Sequence, residues 1–233
     1  MEQKSNLFRL AKKNGFKVIV ISVQTRENFN LVQNNAIDIL ITLEDIKKTA
    51  KHDDDYLLDL LKEKVNLNEG KNFVILHQRS AHTPYDNSCP DFGFKIFYDN
   101  CVFYNDSIYK ETLSYLKTTK IPFYYFITSD HGEMLGQDGL YGHNFLNLDV
   151  AKIPMFLYTN DKNRSVFNEF KDIHNPTNYE MGIMIAKLLS WSIENPNTPD
   201  NIYYISSQYR IKGDYIKIEK EGKEIKTSIV KID

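Results

Sequence analysis

FYYFIT at 123–128 runs straight into SDHGEMLGQDGLYGH at 129–143. The first piece is an apolar run of strand length. The second opens with Asp130 and His131 and is punctuated by Gly132, Gly136, Gly139 and Gly142. A buried strand that delivers an Asp-His pair into a glycine-bearing loop is how open α/β sheets present metal ligands and catalytic groups, at the carboxyl ends of their strands. The fold reading turns on whether the rest of the chain supplies such a sheet.

Working upstream, helix and strand patterns alternate. Asn6 to Asn14 has helical spacing in Leu7, Leu10 and Ala11, with Gly15 as a stop, and Phe16 to Val23 is a β-branched run suited to a strand covered on both faces. Glu27 to Asn35 reads as a short helix and Asp38 to Thr42 as a second strand. Asp53 to Val65 carries Tyr56, Leu57, Leu60, Leu61 and Val65 on one stripe. The run Asp53-Asp54-Asp55 is expected to be a solvated helix start. Asn72 to His77 is a third strand ending in the polar loop Gln78 to Pro90, and Tyr98 to Lys117 is the longest helix, broken at Ile121-Pro122.

Downstream, Pro154 to Tyr158 reads as a fifth strand, Tyr179 to Trp191 as an amphipathic helix and Asn195 to Asp200 as a surface loop. Asn201 to Ser206, Tyr215 to Glu219 and Glu224 to Ile232 alternate apolar and polar residues, the last two around Glu221-Gly222-Lys223, a hairpin signal. The sum is an α/β/α three-layer sandwich with a mostly parallel sheet and a carboxyl-terminal β-hairpin.

At 233 residues the chain is long enough for one sizeable core. Its 29 basic and 31 acidic residues are spread along it, so net charge gives no argument for a nucleic-acid partner. No apolar run approaches the roughly 20 residues of a membrane span, and residues 1–13 lack a signal-peptide core, so the chain as given is expected to be soluble. Cys89 and Cys101 can pair in principle, but two cysteines make no framework. Cys101, in a helical segment without a local His, reads as a small buried hydrophobe. The compartment stays open.

Asp130 and His131 side by side can bind one zinc ion or divide between two neighbouring metals. Glu133 can orient a ligand, and His143 returns on a glycine-bearing loop; His82, after another buried strand, can contribute to the same chemistry. Imidazoles so placed hold a phosphate or protonate a leaving oxygen. His77 is expected to be structural, His52 and His174 solvated, and Tyr98, Tyr104, Tyr109 and Tyr115 to pack along the long helix.

SDHGEMLGQDGLYGH, with FYYFIT before it and with LHQRSAHTPY, YDNCVFYND and LAKKNGFKVIVIS in the same order upstream, resembles the carboxyl-terminal part of the catalytic domain of bacterial phosphoethanolamine transferases, members of the alkaline phosphatase and sulfatase superfamily. The resemblance runs through about residues 5 to 160. It implies that Asp130 and His131 are zinc ligands and that His82 and His143 hold or protonate the phosphoryl group. It also implies a donor, phosphatidylethanolamine, and an acceptor on lipid A, lipopolysaccharide core or a surface protein, at the periplasmic face of the inner membrane. Ala81-His82-Thr83-Pro84 stands where the family has Ser-His-Gly-Pro. The family's nucleophilic threonine, another acidic ligand and the membrane helices match nothing in this sequence, and Thr128 is no substitute. The expectation is a single sulfatase-like domain fragment over 1–233, lacking its amino-terminal half and little active alone. The alternatives are a sulfatase or phosphodiesterase of the same superfamily, or a non-catalytic interaction module.

Overall fold

Leu7–Lys13 forms the first helix, α1, because Asn6, itself in an extended conformation, accepts a hydrogen bond from Arg9 N at 3.0 Å through its side chain. Gly15, at φ +76°, then turns the chain into strand β1, Phe16–Ser22. The computed structural model describes residues 6–27, 35–46, 52–85, 89–193, 202–206 and 214–231. The helix expected from Glu27 to Asn35 falls almost wholly outside the described residues, as does the loop from Asn195 to Asp200. The chain resolves into two compact units, Met1–Phe123 and Tyr124–Asp233.

In the first unit, β1 is flanked by β2 (Ile39–Ile41) and β3 (Lys71–His77), all parallel, in the order β2-β1-β3. Side chains alternate along a strand, so Ile19, Ile21 and Val23 face one way and Val18 and Val20 the other. Ile19 lies opposite Ile39 and Val74, and Ile21 opposite Ile41 and Leu76. That face packs against Leu57, Leu58 and Leu61 of α2 (Asp55–Lys64) and Tyr115 and Leu116 of α3 (Phe97–Thr118). On the other face Val18 lies opposite Phe73, whose ring meets Phe8 of α1 with centroids 6.2 Å apart. Helices therefore cover both faces of a parallel ladder, the α/β/α layering expected from the continuous apolar runs.

One feature departs from the sequence reading, and another is left open by it. Asp54 is 2% exposed, not solvated, and although it stands at the start of α2 its side chain does not cap that helix. Cys89 and Cys101 form a disulfide with Cα atoms 5.2 Å apart. The loop between them is folded back along α3 by Asn100, whose side chain accepts from Phe92 N at 2.7 Å and donates to Phe94 O at 3.2 Å. Composition does not show that fold-back.

In the second unit, β4 (Tyr124–Thr128) pairs with β7 (Met155–Thr159) in an antiparallel ladder, so among the described residues parallel pairing is confined to the first unit. The chain between β4 and β7 holds only short elements: β5 (Met134–Leu135), β6 (Tyr141–Gly142) and the four-residue helix α4 (Leu148–Ala151). None is the crossover helix that a parallel return requires. Helices α5 (Ser165–Asp172) and α6 (Asn178–Leu188) pack Val166, Phe170 and Met184 against Tyr124, Phe126, Met155 and Leu157.

The tail is a three-stranded antiparallel sheet rather than a hairpin alone. Strands β9 (Tyr215–Glu221) and β10 (Glu224–Val230) turn at Gly222, φ +62°, and β8 (Ile202–Ser206) adds to β9. A polar cluster ties this sheet to α6. Glu180, which closes a capping box with Thr177, accepts from Tyr203 OH at 2.5 Å and lies 3.6 Å from Lys220 Nζ.

Candidate functional site

Thr128 ends β4 and Asp130 and His131 follow two and three residues on, as the strand-to-loop pattern requires. The start of the loop is tied to α6: Asn178 Nδ2 donates to Ser129 O at 3.4 Å, and Thr128 Oγ1 to Asn178 Oδ1 at 3.3 Å. Ser129 Oγ donates to His131 O at 2.7 Å and His131 N to Asp130 Oδ1 at 3.1 Å, which closes a tight local turn.

Gly132 does not serve here as a left-handed turn residue. Its N–H donates to Val150 O at 2.6 Å, and a Cβ at this position would sit 2.4 Å from Asp149 O and 2.5 Å from Lys152 O. The loop thus presses backbone to backbone onto α4, and only a residue without a side chain permits it. This approach holds the segment between His131 and Glu133 in place.

His143 reaches the site through a hairpin that sequence periodicity is too short to reveal. Met134 pairs with Gly142 and Leu135 with Tyr141, so Glu133 and His143 occupy the next opposed position of the same antiparallel register. Gly136 (φ +108°) and Gly139 (φ +72°) shape the turn between the strands. The expected contact is present: His143 Nδ1 lies 3.1 Å from Glu133 Oε1, with side chains only 12% and 4% exposed. The rings of His131 and His143 stack with centroids 3.9 Å apart.

Two groupings of donors result. His131, Glu133 and His143 each offer a ligand atom, all within 4.8 Å of one another. Asp130 Oδ2 lies 3.7 Å from His131 Nε2, with the Asp130 side chain 82% exposed. A tetrahedral zinc with bonds of about 2.1 Å separates its ligand atoms by roughly 3.4 Å; the trio offers three N/O donors within reach of one ion, whereas Asp130 with His131 is a pair, with Asp130 outside the trio. His131 Nδ1 is 3.0 Å from Gly132 O, a contact that leaves Nε2 as the ligating atom.

His82 lies in the first unit, on the loop after β3. Its N–H donates to Arg79 O at 3.0 Å and its Nδ1 is 2.5 Å from Thr83 O. His77 is structural as expected, with Nδ1 2.9 Å from Ser22 Oγ across the β1–β3 register. His174 is exposed. His52 is not simply solvated, since its ring meets Tyr104 edge-on with centroids 5.8 Å apart. Tyr104 donates to Asp55 Oδ1 at 2.7 Å, and burial first, then the Asp55 carboxylate, push its hydroxyl pKa far up.

The sulfatase family model matches residues 1–190. The chain belongs to the sulfatase family. Among curated relatives, the phosphoethanolamine transferase EptA of Helicobacter pylori is 34% identical over 130 residues, which make up 45% of this sulfatase-family chain and 24% of that protein. The chain therefore spans about a quarter of the relative it matches. No solved structure matches at comparable significance. Among the described residues no helix is long and apolar enough to cross a membrane.

Proposed function

We propose that this chain is part of the catalytic domain of a zinc-dependent phosphoethanolamine transferase, which moves phosphoethanolamine from phosphatidylethanolamine to lipid A, lipopolysaccharide core or another surface acceptor. The observation that carries the reading is the convergence of His131, Glu133 and His143 on a sulfatase-family loop, in a chain that is 34% identical over 130 residues to such a transferase. Asp130 and His131 would hold zinc, with Glu133 and His143 beside them. Bound there, zinc supplies Lewis acidity toward phosphoryl oxygens.

The chain's own residues would hold and orient. The Glu133 carboxylate contact at His143 Nδ1 assigns Nε2 as the ring atom that would bind a phosphoryl oxygen or hand a proton to a leaving oxygen. His82 has the same chemistry and the corresponding role in this reading. No residue here is assigned as nucleophile, so the chain alone is expected to transfer little or nothing. The Cys89–Cys101 disulfide supports an oxidising compartment such as the periplasm.

The test has a binding arm and an activity arm. Zinc should raise the melting temperature of the full chain, and Asp130→Ala with His131→Ala should remove that rise. An unchanged zinc response in the double variant would sink the ligand assignment. Robust transfer of phosphoethanolamine by the purified chain would overturn the claim of inactivity. Hydrolysis of an aryl sulfate, with no transfer to lipid, would favour a sulfatase instead.

A further inference from the structure

Asp54 is a carboxylate that the chemistry above leaves unused. It stands at the N-terminus of α2, where an aspartate ordinarily caps its own helix. It makes no such bond, and its backbone there is already helical, at φ −69° and ψ −19°. Instead the side chain reaches 25 and 26 residues ahead. Arg79 N donates to Asp54 Oδ1 at 3.0 Å and Ser80 N donates to Asp54 Oδ2 at 2.9 Å.

These are the second and third residues after the carboxyl end of β3, the position at which parallel sheets present functional groups. Arg79 is also the residue whose carbonyl accepts the His82 N–H, at 3.0 Å. Asp54 therefore grips one side of the same residue whose other side fixes His82. A second anchor comes from α3, where Asn105 Oδ1 accepts from Ser80 Oγ and from Gln78 Nε2.

Leaving a carboxylate almost wholly out of water is costly unless hydrogen bonds to it compensate. Burial pushes the Asp54 carboxyl upward, while the bonds from Ser80 and Arg79 pull it back. A helix cap at the surface would carry no such cost, so the burial marks a placement that serves the loop.

We infer that Asp54 is a positioning residue for His82, acting by clamping the Arg79–Ser80 backbone at the end of β3. Its functional meaning rests on the reading of His82 as a phosphoryl-handling residue, but the clamp is testable without it.

The experiment uses the full 233-residue chain with labelled backbone amides, histidine rings and isoleucine and leucine methyls. In Asp54→Asn the side-chain amide opposes a backbone N–H with another donor, so one of the two bonds is lost at nearly constant volume. The expected result is faster hydrogen exchange at Arg79 and Ser80 by at least about tenfold, displaced His82 ring signals, and core methyl signals of Ile19, Ile21 and Leu57 in their native positions. Arg79 and Ser80 signals that move while the His82 ring signals stay would overturn the inference. If the variant does not fold, through-hydrogen-bond coupling from the Arg79 and Ser80 amides to the Asp54 carboxyl carbon in the unmodified chain decides, and its absence is fatal.

A second arm measures phosphoethanolamine binding in the presence of zinc. Asp54→Asn should weaken binding no more than His82→Asn, and the double variant no more than His82→Asn alone. Independent, multiplying losses would count against positioning. If His82→Asn leaves binding unchanged, the phosphoryl-handling role of His82 fails, while the ring signals still decide the role of Asp54.

Discussion

Val18, Ile19, Val20, Ile21 and Val23 of the first unit are completely buried, whereas every residue of β4 in the second unit is half-buried, and β7 alternates between half-buried and exposed for most of its length. The first unit is organised by a large apolar stack between helices, and the second joins a smaller apolar cluster to polar ties and close backbone contacts around a loop. The difference follows from what each must do. A parallel ladder needs only side chains that fill space. A donor-bearing loop must place imidazoles and carboxylates, and those resist a dry interior unless they are paired.

The contrast is sharpest in core truncations. Leu57→Ala should cost about 2–5 kcal/mol. Leu157→Ala, on the half-buried β7, should cost less than about 2 kcal/mol, since it leaves less apolar surface uncovered. Equal losses in urea unfolding would erase the distinction between the units.

Zinc should act the other way round. At one hundred times its dissociation constant it should add about 2.7 kcal/mol. Hydrogen exchange should show the gain in protection over residues 129–152 rather than over β1 and β3. Protection that rises equally in the parallel sheet would break the comparison.

Gly132→Ala is next in size. The added methyl must displace the Asp149 and Lys152 carbonyls, at an expected cost of about 1–3 kcal/mol. Thermal melts with and without zinc should show lower stability together with a weaker metal response. Alanine tolerated without loss would mean that α4 yields freely.

The smallest effect is a pair of opposite acid slopes. Burial would raise the Glu180 pKa, but the bonds from Thr177 and Tyr203 and the charge of Lys220 outweigh it and hold the group below its ordinary 4.5. Its stabilisation is present above that pH and is lost as pH falls through the lowered folded value. Asp54 behaves in reverse: its folded pKa is raised above 3.8, chiefly by burial, so stability falls as pH rises from 3.8 through the raised value. Glu180→Gln should flatten the first slope and Asp54→Asn the second. Slopes of the same sign would refute the assignment.

The first unit was largely legible in the sequence because its signals are long. Phe16 to Val23 is a strand of the expected kind, and Tyr98 to Lys117 lies wholly within α3. At the candidate site the residue types were legible and their contacts were not. His131 and Glu133 are two residues apart, but the β5–β6 hairpin that returns His143 has two-residue strands, below any periodic signal. Gly136, Gly139 and Gly142 are its local trace in the sequence. Asp54 was misread because a helix-start aspartate looks the same whether it caps its helix or reaches across 25 residues to a loop. The antiparallel return of β7 and the partner of Cys101 depend likewise on contacts distant in sequence.

The hairpin register also acts as a ruler. Because Glu133 and His143 meet only as the position beyond Met134–Gly142, the nine residues between them form a counted interval rather than a loose linker. A single residue inserted within β5 or β6 would swing one partner to the other side of the ribbon and part the carboxylate from the imidazole. Residues added at the Gln137–Gly139 turn, where the chain already bends away from the ladder, would leave the pair matched. Length variation in this loop is therefore tolerable at its tip and forbidden along its sides.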